Sequence, residues 1–165
     1  MIIIPYSDRT CPCGRSGCVE SELTPSATMS KLSEVFSAEK TPFLYEAARG
    51  SFENVNQDMI TMAYEKDDKA VKEILNGELT LLAVLLNNLY FSTNPQKIVL
   101  HQFKFQNEKA FQKLKDAVTE IGGALVSSKI ELSIIEDKHR FLSGCALAIR
   151  ELFFNRGGFD TSSNN

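Results

Sequence analysis

The chain has 165 residues, 43% of them apolar and 24% charged, the make-up of one globular domain large enough to bury a core. A net charge of −3 with no basic stripe excludes a module that grips duplex DNA with its own surface. No secretory signal or membrane span is expected. Met1 to Ile4 lacks a basic flank and is stopped by Pro5, and the longest other apolar run, Leu79 to Leu86 apart from Thr80, is far short of the ~20 residues a span needs. The expected location is the cytoplasm.

In chain order, Met1 to Ile4 reads as a strand remnant. Residues 5–18 form a Pro/Gly/Ser/Cys loop, and from Val19 the pattern turns helical in short pieces. Thr28, Met29 and Leu32 to Phe36 predict one helix. Pro42 opens another that Gly50 closes, and Phe52 to Ala63 predicts a third. Asp67 or Asp68 should cap the longest helix, which runs to about Phe91. From Leu79 to Leu89 its apolar residues spread round the cylinder, so burial on most sides is expected. Gly77 inside it costs roughly 1 kcal/mol, which points to tight packing or a kink. Asn94-Pro95 ends the helix.

Residues 97–103 then read as a buried strand and 107–121 as an amphipathic helix stopped by Gly122-Gly123. Residues 129–135 read as a second strand, 139–154 as a closing apolar helix and 155–165 as a disordered tail. Strand, helix, strand, helix is an α/β order with parallel pairing.

Cys11, Cys13 and Cys18 fall within eight positions, spaced C-x-C-x4-C, with Gly14 and Gly17 giving the backbone room to turn between them. Clustered thiols in a reducing compartment favour metal over disulfide, and zinc takes thiolate and imidazole in a tetrahedron closed by four protein ligands. A Cys11–Cys13 disulfide and three unrelated buried thiols are the competing readings. Neither His101 nor His139 lies at a local ligand spacing. The first suits a strand end and the second a helix start.

The stretch CPCGRSGCVE, residues 11–20, resembles at every fixed position the zinc motif C-x-C-G-x-x-G-C-x-E of the ROK family of sugar-responsive repressors and sugar kinases. Residues 65–100 look like that family's long helix ending in Asn-Pro before a buried strand. Residues 141–154 look like its closing helix, with Cys145 in an alanine position. The resemblance implies an α/β fold, the C-terminal lobe of an actin-like ATPase (ribonuclease-H-like) fold. Residues 1–154 would be the C-terminal part of a sugar-sensing domain, divided into a zinc loop (5–20), a helical block (21–93) and strand-helix-strand-helix (97–154).

It also implies that Cys11, Cys13 and Cys18 bind a structural zinc. The family's fourth ligand, a histidine, falls at or before Met1, so it is expected upstream of this chain. Asp8, Glu20, a water or a neighbouring chain are the alternatives. Glu20 matches the family glutamate that bonds a sugar hydroxyl, a task a carboxylate performs well. Read from residues alone, it is a first-turn helix glutamate favoured by the dipole.

The family's kinases carry a phosphate motif and a catalytic aspartate before the zinc loop, and a Gly-Gly pair after the strand that Ile98-Val99-Leu100 resembles. This sequence has Leu100-His101-Gln102 there, side chains that would block a nucleotide's approach. The expectation is therefore no catalytic residue and no enzyme, but the C-terminal effector portion of a regulator of the repressor branch. Its partners would be a sugar or sugar-phosphate effector, held weakly, and a second copy of itself. The second copy would meet it through Met1 to Ile4 or the closing helix. DNA would be reached only through an absent N-terminal domain, and no membrane is involved. A fragment of a sugar kinase and a zinc-stabilised interaction module are the other two functions.

Overall fold

The computed structural model describes residues 7–101, 108–133, 147 and 149–155, the side chains of the last three excepted. The expected strand at Met1 to Ile4, the end of the second strand, most of the closing helix with His139 and Cys145, and the tail lie outside the described residues. Contacts divide the chain into two units, residues 1–98 with 104–130 and residues 99–103 with 131–165.

Helix starts follow local chemistry. After α1 (Glu20–Leu23), Thr24 caps α2 (Pro25–Val35) by accepting from Ala27 N at 3.3 Å, with Pro25 in the first turn. Pro42 likewise opens α3 (Pro42–Ala47). The single helix expected over Phe52 to Ala63 is instead two elements. A 3-10 turn (Phe52–Asn54) precedes α4 (Gln57–Glu65), because Asn56 takes an extended backbone and accepts from Met59 N at 3.0 Å. An Asx residue offers the backbone this alternative to continued helix.

The longest helix, α5 (Lys69–Thr93), has Asp68, one of the two residues expected, at its N-cap position, but without a side-chain capping hydrogen bond. The buried Asp68 carboxylate reaches across to α3, where Oδ2 accepts from Leu44 N at 3.3 Å. Burial pushes this carboxyl above its usual range, opposed by the backbone N–H groups of Leu44, Val71 and Phe43. At the far end Asn94 donates its N–H to Tyr90 O and adopts the left-handed conformation (φ 43°), which asparagine tolerates better than most side chains and which commonly ends a helix.

Tight packing at Gly77 and burial of the C-terminal half on most sides, both expected of α5, do not hold. Gly77 is exposed in an unbroken helix, and a Cβ there would meet nothing within 4 Å, so tight packing does not explain it. Leu79, Ala83, Leu86 and Tyr90 are buried, but Val84, Leu89 and Phe91 are exposed. The reason is that among the described residues α5 packs against α1, α2, α4 and α6, which leaves one apolar side uncovered. At 25 residues α5 is by length and composition apolar enough to cross a membrane. Its Val71, Leu75, Leu79 and Ala83 nevertheless form a protein core with Leu32, Leu44, Ile60, Leu114 and Val118. Each fully buried aliphatic side chain there contributes about 1.5–3 kcal/mol.

Beyond α5, β1 (Ile98–Leu100) pairs with β2 (Ile130–Leu132). Ile98 N donates to Lys129 O at 2.8 Å and Ser133 N to Leu100 O at 2.9 Å, a parallel register. Both strands are shorter in the described residues than the apolar runs suggested. Between them α6 (Glu108–Gly122) buries Ala110, Leu114 and Val118 at helical spacing. Gly122-Gly123 ends α6 as expected, but Gly123, at φ 84°, also starts a short helix that the pattern did not show, α7 (Ala124–Ser128). The architecture is mixed α/β and mostly helical. In the second unit, the segment expected to be closing α-helix ends in a π-helical turn, Arg150–Asn155.

Candidate functional site

Residues 9–18 fold back on themselves through local bonds. Cys11 N donates to Arg15 O at 2.7 Å, Gly14 N to Cys11 O at 2.9 Å and Gly17 N to Arg9 O at 3.1 Å, with an antiparallel bridge between Thr10 and Ser16. The turn needs positive φ at Gly14 (83°) and Gly17 (73°), where a Cβ would be strained. It brings the Sγ atoms of Cys11, Cys13 and Cys18 within 4.8 Å of one another, with Cys13 and Cys18 3.5 Å apart. Zn–S bonds of about 2.3 Å at the tetrahedral angle set sulfurs ~3.8 Å apart, so the cluster fits such an ion with small adjustments.

All three are free thiols, Cys11 and Cys18 buried and Cys13 exposed. The backbone N–H of Arg15, then the neighbouring thiols and the Arg15 charge, lower the Cys13 pKa. Burial, then the same neighbours, push Cys18 up to about 12. A buried thiol that resists ionisation alone ionises once a cation is its partner. Cys11, Cys13 and Cys18 would hold the ion, which would cross-link the loop. Among the described residues no His, Asp or Glu joins the cluster. The alternatives Asp8 and Glu20 as fourth ligand are therefore not supplied, and both are exposed. His101 is exposed just after β1.

Glu20 is the first residue of α1, two positions beyond Cys18. It lines a cleft of about 390 Å³ with Arg9, Ser21, Thr24, Ser26 and Ser30, at the small end of ligand sites. Such a rim of hydroxyls, one carboxylate and one guanidinium suits a polyhydroxylated ligand.

A family model described as ROK family matches residues 2–140. The chain belongs to the ROK family. Membership brings the actin-like ATPase fold, with which the mixed α/β architecture and small parallel sheet agree. No curated protein matches the chain.

Around its cysteine loop this ROK chain also has a charge network that the sequence reading missed. Lys31 Nζ on α2 donates to Glu22 O at 2.8 Å and pairs with Glu22 Oε2 at 2.8 Å and Glu78 Oε1 at 3.2 Å. Glu78, on α5, is 4% exposed, and both its carboxylate oxygens accept from Thr28 Oγ1, at 3.0 and 2.9 Å. Glu22 also accepts from Ser7 Oγ and sits 4.0 Å from Arg9 Nε. Burial alone would raise the Glu22 pKa. The bonds from Lys31 and Ser7 and the charges of Lys31 and Arg9 outweigh it, so the carboxyl titrates below its usual range. The sequence signal was Glu78 itself, an acid on the apolar stripe beside Leu75 and Leu79. Buried acids are rare without a partner.

Proposed function

We propose that this ROK chain is the C-terminal effector portion of a sugar-responsive transcriptional regulator of the repressor branch. It is cytoplasmic, carries a structural zinc on Cys11, Cys13 and Cys18, and has no catalytic role of its own. DNA contact belongs to a separate N-terminal domain. The observation that carries the choice of branch is the end of β1. Leu100 is followed by an exposed His101 where a nucleotide site would need backbone free of side chains. The fragment-of-a-kinase reading lacks that support.

Glu20 and the open cleft beside it would hold the sugar or sugar-phosphate effector, weakly, through a few hydroxyls and one carboxylate. Calorimetric titration with hexoses, N-acetylhexosamines and their phosphates should give one weak ligand class. Glu20→Gln should lower its affinity by about 10-fold, the worth of one charge-assisted hydrogen bond. Transfer of phosphate from ATP to any of these sugars by the purified chain would move the protein to the kinase branch.

Self-association is the other part of the reading. Leu147, Ile149 and Leu152 are all more than half exposed on the closing segment, and clustered exposed apolar groups mark association surfaces. Light scattering should give a dimer mass that Leu152→Asp reduces toward the monomer. A wild-type monomer at every concentration would remove the dimer.

A further inference from the structure

The loop that carries the cysteines enters at Ser7 to Arg9 and leaves as α1. Both ends converge on one side chain, Glu22. From the entry side it accepts from Ser7 Oγ and faces Arg9 Nε at 4.0 Å. The exit side is its own helix, bound to the last thiol residue through Ser21, whose N and Oγ donate to Cys18 O at 2.9 and 2.7 Å. Ser21 Oγ also reaches Arg9 O, at 3.3 Å. Glu22 is in turn held by Lys31, which grips its carboxylate and its backbone carbonyl together and anchors both to Glu78 on the core helix α5. The side chains of Lys31, Glu22 and Glu78 are 17%, 14% and 4% exposed, dry enough for this charge set to hold one geometry. Arg9, between Glu22 and Glu34 at 3.0 Å, adds the second positive charge.

We infer that Lys31 is the positioning residue of the metal loop. By fixing Glu22 against α5 it sets where both ends of the Cys11–Cys18 turn stand, and with them Glu20 at the cleft. The inference rests on the metal reading above. Lys31 touches neither ion nor sugar, and it slows the loop from opening and releasing its ion.

The experiment follows zinc leaving the full chain into a chromogenic chelator, with cobalt substitution reporting thiolate geometry. Lys31→Met should release zinc about 10-fold faster, the scale on which groups that orient metal ligands act, and should change the cobalt d–d bands. Lys31→Arg, which restores the charge and two donors, should return the rate toward wild type. Leu114→Ala, in α6 and outside the network, should lower the unfolding midpoint yet leave the release rate unchanged. Should Lys31→Met fail to fold, Glu22→Gln decides, with a release rate several-fold above wild type expected. An unchanged rate in Lys31→Met or Glu22→Gln, or equal acceleration in Leu114→Ala, overturns the inference while leaving the zinc reading intact. A wild-type chain that takes up no zinc or cobalt defeats the zinc reading and the inference with it.

Discussion

Cys18→Ser should strip the chain of its metal and loosen residues 7–23 before anything else. Wild-type protein dialysed against buffer should carry about one zinc per chain, and the variant a small fraction of that. Structural zinc is worth on the order of 10–16 kcal/mol in finger peptides that have little other core. Here the core of Leu32, Leu75 and Leu79 persists without the ion, so global unfolding should shift by less and the loop should lose most. Cys18 is the most sensitive of the three positions because it is fully buried. Serine there removes a ligand and also leaves a hydroxyl without water, which costs about 1–3 kcal/mol. Cys13→Ser, on the exposed side, should lose the metal with little packing cost. Elemental analysis gives the stoichiometry, and hydrogen exchange shows where protection falls. Metal-free wild-type protein with a Cys11–Cys13 disulfide by mass spectrometry would overturn the metal assignment.

Gly122→Ala should destabilise the fold by about 2 kcal/mol, although helix propensity argues the other way. Alanine in a helix gains up to about 1 kcal/mol over glycine. Against that, a Cβ on Gly122 would stand 1.5 Å from Asn87 Oδ1 and 2.6 Å from Asn87 Cγ, far inside any contact. Asn87 is 3% exposed, and its Nδ2 donates to Ala83 O at 2.9 Å. It must either break that bond or force α6 away from α5. Overpacking costs about 1–3 kcal/mol, and a buried amide left without its bond about as much again, so the clash wins. Among the described residues Asn87 Oδ1 has no hydrogen-bond partner, so Asn87→Ala removes an orphan as well as the obstacle. The double variant should recover most of the loss in urea unfolding, with a coupling of at least about 1 kcal/mol. A Gly122→Ala protein as stable as wild type, or more so, would mean that α5 and α6 do not approach this closely.

Local chemistry was legible from the sequence alone. The C-x-C-x4-C spacing with two glycines specified a turn that gathers three thiols, because every bond that builds it joins residues within eight positions of one another. Pro42, Asp68 and Asn94 marked helix ends through their own backbone preferences, and the apolar period of residues 107–121 announced an amphipathic helix, although the structure buries Ala110 with Leu114 and Val118 and leaves Ile121 exposed. The family, too, was carried by that one short motif.

What needed partners distant in sequence stayed hidden. Lys31 and Glu78 are 47 positions apart, and nothing in either segment says that they meet. Gly122 passes for a stop signal until Asn87, on another helix, is placed against it. The exposed side of α5 at Val84, Leu89 and Phe91 looked like core because an apolar residue records its preference for burial, not which neighbour covers it. Tertiary packing alone decides whether such a neighbour is present. It also decided that the partly buried Lys31 stands between the cysteine loop and the core helix, because a charge leaves water only where its counter-charges are already held in place.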